Sequence, residues 1–349
     1  MFDPDYSFLD RLLHRLALDC APVADVGFDL DQAMVQTDPA EIVHQRHVFV
    51  AGLARAGTTV LMRQFHATGQ YRSLTYRDMP LVLFPNLWRR LSLISRRDIK
   101  SAERVHGDNV LVDGDSPESF DEVFWRIFAG EQYISSSWLA PHAPNTELMK
   151  KYVHYVNGIL SATDLRLDRY LCKNNNNILR LDAIHQAFPK ALILIPFREP
   201  RQHAYSLLRQ HLHFREMQAQ RPFMLTYMTW LGHHEFGLGH RPFRFDDAGR
   251  PKHTTNTLNY WLQLWCEAYS WLERSSPKAA LFVCYEDLCV RPETWSRLAE
   301  LADISTVSDC GNQFTLSERL VSNNFDGRLV DYAISIYKGL VARARAQLS

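Results

Sequence analysis

The sequence predicts an α/β chain: a largely parallel sheet flanked by helices on both faces. Three observations predict it. Short apolar, β-rich segments each run into a helix-like stretch. The runs at 191–197 and 279–285 are almost continuously apolar, as strands covered on both faces are. A glycine-rich turn separates the first strand from its helix.

The elements follow in order. The strand at 47–52 leads into a helix over 57–68, with Leu61 and Phe65 on one face. A strand at 109–113 is followed by Ser116, Pro117 and Glu118, the cap, proline and acid that open a helix. The strand at 169–173 precedes a helix over 177–188, and the strand at 191–197 precedes one over 201–213. The last strand, 279–285, precedes a helix that begins near Arg291, Pro292 and Glu293. Amphipathic stretches at 144–163, 256–274 and 325–347 add further helices. The segment 214–253, rich in His, Phe, Arg and Gly with weak periodicity, reads as an insertion or lid on a single domain spanning 1–349.

Composition sets outer bounds. With 349 residues, 46% hydrophobic, the chain can fill a sizeable core, so disorder is excluded as the dominant state. The 39 basic and 39 acidic residues argue against nucleic acid or an anionic membrane surface as partner. No apolar run reaches the roughly 18–20 residues of a membrane helix. The acidic start lacks a signal peptide's basic and apolar regions, so a soluble, cytoplasmic protein is expected. Its six scattered cysteines, without a CxxC pair, are expected as buried reduced thiols.

The turn at 52–59 reads GLARAGTT. Its spacing is that of a phosphate-binding loop, GxxxxGK[ST], with Thr58 where the lysine belongs. The glycines let successive amides point inward, and the helix N-terminus adds partial positive charge. Gly57, Thr58, Thr59 and the Ala56 amide are therefore candidate ligands of a phosphate or sulfate group, and Arg55 supplies the charge of the missing lysine. Loss of that lysine disfavours an NTP-dependent kinase. A second anion site is indicated at 198–206, where Arg198 follows the strand and Ser206 lies about two helical turns on. Arg198 read alone is equally a surface ion-pair residue. With the loop, it suggests a nucleotide bearing phosphates at two places.

These two motifs, GLARAGTT at 52–59 and REPRQHAYS at 198–206, resemble the signatures of the sulfotransferases that use 3′-phosphoadenosine 5′-phosphosulfate (PAPS). Further likeness lies in YLCK at 170–173, FPKA at 188–191 and CYEDL at 284–288, so the resemblance runs from about 46 to 302. It implies the sulfotransferase-type α/β fold, PAPS as sulfuryl donor without a required metal, and a hydroxyl acceptor. In the family the first loop holds the 5′-phosphosulfate, and the arginine and serine hold the 3′-phosphate. The resemblance adds Tyr285 to the nucleotide-binding candidates. Ala56 stands where the family's loop usually has serine, and Asn174–Asn177 where bacterial and Golgi-type relatives often have a proline.

Sulfuryl transfer proceeds through a loose in-line transition state, so the site needs cations, aligned amides and a base. Arg55 and Lys173 are the candidates for stabilising the leaving phosphate and the moving group; a solvated strand-end lysine is the other reading of Lys173. Asp78 leads as base, because it follows the first helix where glycan and tyrosyl-protein sulfotransferases carry an acid. His106 is the alternative, by analogy with cytosolic relatives. Glu118 is a third candidate, or else merely a helix N-terminal charge. Seven of the 15 histidines lie between His203 and His253 without a metal-binding spacing, so no metal site is expected. They are expected, with neighbouring aromatics, to line an acceptor pocket. The acceptor expected is a carbohydrate, the other reading being a small aromatic or lipid alcohol; a nucleotide-binding protein without sulfation activity is the non-enzymatic reading.

Overall fold

Four short parallel strands form the sheet, in the order β4-β1-β5-β6. The computed structural model describes residues 8–92, 102–103, 111–112, 115–163, 167–245, 252–304, 314–316 and 324–349. Along the chain, α1 (Phe8–Asp19), α2 (Ala21–Gln32) and α3 (Pro39–Val43) precede β1 (Val48–Val50) and α4 (Thr58–His66). Next come α5 (Pro85–Ser92), β2 (Ala102–Glu103), β3 (Leu111–Val112), α6 (Glu122–Tyr133) and α7 (Thr146–Ser161). The centre holds β4 (Leu171–Lys173), α8 (Leu181–Ala187), β5 (Leu192–Phe197), α9 (Pro200–Gln220) and α10 (Pro222–Trp230). The chain continues with α11 (Leu258–Ser275), β6 (Leu281–Cys284), α12 (Tyr285–Val290), α13 (Pro292–Leu301) and α14 (Gly327–Leu348).

The expected α/β architecture is present, with helices on both faces. Alternation along the strands sorts side chains into two cores. Val48, Val50, Leu171, Leu194 and Val283 pack with Leu61 and Phe65 of α4 and Leu298 of α13. Phe49, Cys172, Ile193, Ile195 and Phe282 join the larger core on the opposite face. Each such fully buried side chain contributes roughly 1.5–3 kcal/mol.

The register decides where the site lies. Val50 of β1 pairs with Lys173 on one side and Leu194 of β5 on the other. From β1 the chain goes first to β4 and later returns to β5 across β1. The crevice beyond the C-terminal end of β1 is therefore a topological switch point, the preferred ligand position of open α/β sheets. Lys173, the loop at 52–59, Arg198 and Tyr285 leave adjacent strands along this one edge.

Three expectations are corrected. Leu111 and Val112 do not enter the main sheet; they pair antiparallel with Glu103 and Ala102 in a separate ribbon. The helix announced at Ser116 begins only at Glu122. Pro117 instead bridges Thr75, and the Glu118 amide donates to the Leu74 carbonyl at 3.1 Å, so tertiary pairing overrides the capping signature. The weakly periodic segment from 214 is helical as far as Trp230, the end of α9 and all of α10, and irregular through 231–245. No helix among the described residues is long and apolar enough to cross a membrane. Cys172, Cys266 and Cys284 are buried free thiols, whereas Cys20 and Cys289, also free, are partly exposed. Cys310 lies outside the described residues.

Candidate functional site

The loop at 52–59 is built on two left-handed residues, Arg55 (φ 69°) and Gly57 (φ 89°). Gly57 caps α4, and a Cβ there would overlap the Tyr285 ring, so glycine is required by both backbone and packing. Beneath the loop, the Nε2 of fully buried His203 lies 2.8 Å from the Ala54 carbonyl. Burial pushes this imidazole down to about 3, so it stays neutral and donates to that carbonyl. Thr58 is buried at the start of α4, with Ala56 behind it.

On one flank of the loop, Arg55 Nε donates to Ser206 Oγ at 3.3 Å, joining the two motifs. Arg198 lies with its guanidinium 5.5 Å from the centroid of the Tyr285 ring, and its Nε is buried without a hydrogen-bond partner among the described residues. A buried guanidinium nitrogen without a partner is a fitting place for an anion. Tyr285, raised to about 12 by burial, stays neutral and donates its hydroxyl to the Thr315 carbonyl. Glu199 caps α9 through the Gln202 amide, with Pro200 in the first turn, which fixes the helix that presents Ser206.

On the other flank stands Lys173, buried at the end of β4 with Nζ 3.9 Å from Glu118 Oε1. It is not a solvated strand-end lysine. Glu118 is equally buried and precedes α6 by four residues, so it is not a helix N-terminal charge. Tyr76 donates its hydroxyl to Glu118 Oε2 at 3.4 Å. Asp78, close in sequence, has other work. Its Oδ2 accepts from the Thr75 amide and hydroxyl in a capping box, and its Oδ1 takes Arg72 at 2.5 Å. His106 lies outside the described residues.

Several residues to which the sequence assigned no role complete this flank. Glu122 is wholly buried and accepts Arg180 Nη2 on both oxygens at 3.1 Å, Asn174 Nδ2 at 2.7 Å, and the Tyr133 hydroxyl. The asparagine run 174–177 forms a buried 3-10 turn. Asn176 donates to the Gly232 carbonyl at 3.2 Å and Asn175 to Glu235 Oε1 at 2.9 Å, so the turn ties Lys173 to the segment 231–245. Burial raises the Glu235 carboxyl, but His233, Asn175 and Lys173 outweigh it and hold the group below its usual range. The signals were the four-residue spacing of Glu118 and Glu122 and the acid beside two histidines. The asparagines carried no periodicity that pointed inward.

Of the histidines of 203–253, His203, His211, His213 and His240 pack with aromatics. His211 and His240 sit 5.1 and 5.0 Å from the Trp261 ring centroid, and no metal-binding cluster occurs among the described residues. Glu235, Phe236, His240 and Phe243 border a cavity of about 40 Å³ that also touches Leu53 and Ala54 of the loop.

A family model described as "Sulfotransferase family" matches residues 47–306. Among solved structures, the chain is similar to sulfotransferase STF9 from Mycobacterium avium, at 15% identity and TM-score 0.45, covering 88% of this chain and 72% of that one. It is also similar to sulfotransferase STF1 from Mycobacterium tuberculosis H37Rv, at 15% identity and TM-score 0.44, covering 97% and 82%. A third is the sulfotransferase domain from the curacin biosynthetic pathway, at 13% identity and TM-score 0.37, covering 85% and 98%. No curated protein matches the sequence.

Proposed function

The chain belongs to the sulfotransferase family, and on that premise we propose that it moves the sulfuryl group of PAPS to an alcohol hydroxyl. One observation carries this reading: two flanks of different chemistry meet at a single phosphate loop. The Arg55–Ser206 contact and the orphaned Arg198 Nε suit a nucleotide phosphate. The buried Lys173–Glu118 pair on the far side suits a proton-coupled transfer. Without a lysine at Thr58, the loop lacks the main contact to a triphosphate.

The roles follow from that arrangement. Amides of Ala56, Gly57, Thr58 and Thr59 hold the 5′-phosphosulfate, while Arg198 and Ser206 hold the 3′-phosphate and Tyr285 shapes the nucleotide side. The acceptor oxygen forms its bond to sulfur as the bond from sulfur to the bridging phosphate oxygen breaks. The electron pair stays on that oxygen, adenosine 3′,5′-bisphosphate departs, and Arg55 and Lys173 balance the charge that develops. Glu118 takes the acceptor proton, because it is the carboxylate that stands beside Lys173, whereas Asp78 is paired with Arg72 and the Thr75 turn. The whole chain acts as one catalytic domain, with the acceptor side formed by residues 231–245 of the 214–253 insertion. Apolar walls from Leu53, Phe236 and Phe243 favour a small apolar alcohol over the carbohydrate first expected.

Thermal denaturation tests the donor. Adenosine 3′,5′-bisphosphate at about 100 times its Kd should contribute about 2.7 kcal/mol, a rise on the order of 5 °C, while ATP with magnesium does little. Arg198→Ala should remove the difference. Stronger stabilisation by ATP would overturn the reading.

A further inference from the structure

The segments at 52–59 and 198–206 meet at more than the Arg55–Ser206 contact. About one helical turn before Ser206 on α9, His203 Nε2 donates to the Ala54 carbonyl at 2.8 Å. Ala54 and Arg55 are the central residues of a turn that the Ala56 amide closes on the Leu53 carbonyl at 3.2 Å. Arg55 is left-handed (φ 69°) and Ala54 is not. That combination is the type II pattern, in which the peptide between the central residues is flipped relative to a type I turn. The third position of such a turn favours glycine, and a side chain persists there only where its surroundings hold it. The oxygen that His203 takes belongs to this flipped peptide. Deprived of the donor, the turn can relax to type I, which suits most residues at both positions.

The surroundings of His203 point to this bond as its purpose. The side chain is fully buried, and its Nδ1 has no hydrogen-bond partner among the described residues. A buried nitrogen left unsatisfied costs stability, and a leucine would fill similar space without one. What the imidazole supplies and leucine does not is the Nε2–H. Directly after the turn, Gly57 caps α4 and Thr58 and Thr59 open it, so their amides have no partner within the helix. The path of the chain into Gly57 therefore sets where those amides project.

We propose that His203 is a positioning residue for the loop at 52–59: its hydrogen bond holds the Ala54–Arg55 peptide flipped, the shape in which the amides of Gly57, Thr58 and Thr59 bind the 5′-phosphosulfate. The segment 198–206 then does two things. Arg198 and Ser206 hold the 3′-phosphate, and His203, between them in sequence, shapes the site of the 5′ group. The proposal rests on the PAPS-dependent reading and adds a residue to which that reading gives no role.

Calorimetric titration of the full chain with adenosine 3′,5′-bisphosphate, adenosine 5′-phosphate and adenosine 3′-phosphate tests it. His203→Leu should weaken the two ligands that carry a 5′-phosphate about tenfold or more, and leave the 3′-phosphate within about twofold. His203→Gln, whose Nε2 lies as many bonds from Cβ, should recover most of the affinity; His203→Asn, one bond shorter, should not. Arg198→Ala should show the opposite selectivity, weakening the 3′-phosphate more than the 5′-phosphate. Equal weakening of all three ligands by His203→Leu is what a role confined to packing gives, and it overturns the proposal. Unchanged 5′-phosphate affinity overturns it too. Should the leucine variant not fold, the glutamine and asparagine variants carry the same comparison; loss of folding in both assigns the ring to the core and sinks the idea. The wild type separates the two readings: normal bisphosphate binding without 5′ selectivity in the variants removes the role of His203 alone, and no bisphosphate binding removes the donor reading with it.

Discussion

The two flanks of the loop at 52–59 hold their cations differently. On the β4 side three cations are matched to carboxylates inside the fold: Lys173 with Glu118, Arg180 with Glu122, Arg72 with Asp78. On the β5 side, Arg55 leans on a serine hydroxyl and Arg198 on an aromatic ring. A buried cation without an anion is costly, and each of these three β4-side cations has its anion inside the fold. The β5 flank has hydrogen-bonding capacity left over at Arg198 Nε. The difference is the one the proposed roles require, an anionic ligand on the β5 flank and a proton transfer on the β4 flank.

The largest effect expected comes from disturbing that proton-handling pair. Glu118→Gln keeps the shape and removes the base, so kcat should fall by about 10²–10⁴-fold. Bisphosphate binding, which depends on the other flank, should be unchanged. Rapid-quench kinetics with a saturating acceptor would measure it; near-wild-type kcat would move the base elsewhere and break the division between flanks.

Next in size is the buried ion pair beneath Lys173. Glu122→Ala leaves Arg180 buried and unpaired, and should cost about 3–5 kcal/mol in denaturant unfolding. Replacing both partners, Glu122→Leu with Arg180→Met, should recover much of that stability. It would not restore the Asn174 hydrogen bond, so kcat should remain low even in the refolded double variant. Recovery of both quantities together would mean that the network only fills space and does not set the strand end that carries Lys173. The close approach of Gly232 to this network, where a Cβ would stand 2.6 Å from Glu122 Cγ, makes Gly232→Ala a milder probe of the same joint.

How much of this was legible in the sequence differs between the flanks. The β5 flank is encoded locally: strand, loop and helix are contiguous, so spacing alone indicated Arg55, Arg198 and Ser206. The β4 flank is assembled from distant pieces. Glu118 meets Lys173 across 55 positions because the chain at 117–118 pairs with 74–75, and no period in the sequence announces that pairing. The capping signature at Ser116 was genuine chemistry but lost to tertiary contacts. Asp78 shows the converse: its position suggested a base, while its three-residue spacing from Thr75 already spelled a capping box. Glu235 was visible only as an acid among histidines, since its meaning depends on Asn175 reaching across 60 positions.

The smallest effect expected concerns pH and again separates the regions. Burial holds His211 to about 3 and His234 and His240 to about 4, all within or against the 231–245 segment. The folded protein keeps these rings neutral, while the unfolded chain protonates them near 6.5. Their stabilisation is therefore present above about pH 6.5 and is lost as pH falls toward the folded values. Each ring adds up to about 1.4 kcal/mol per pH unit to the slope. Asp121 acts in the other direction: raised to about 6 by burial, it favours the folded state as pH falls through that value and offsets one histidine. Locally, His211 Nδ1 accepts the Gly237 amide, which a protonated ring cannot do. Hydrogen exchange at Gly237, corrected for its intrinsic pH dependence, should lose protection between about pH 6 and 4 before the amides of β1 and β5 do. His211→Gln retains an acceptor without a titrating ring and should flatten that local dependence. If Gly237 and the strands lost protection together, the acceptor-side segment would be as firmly built as the sheet, and it would not be the part of the site that acid releases first.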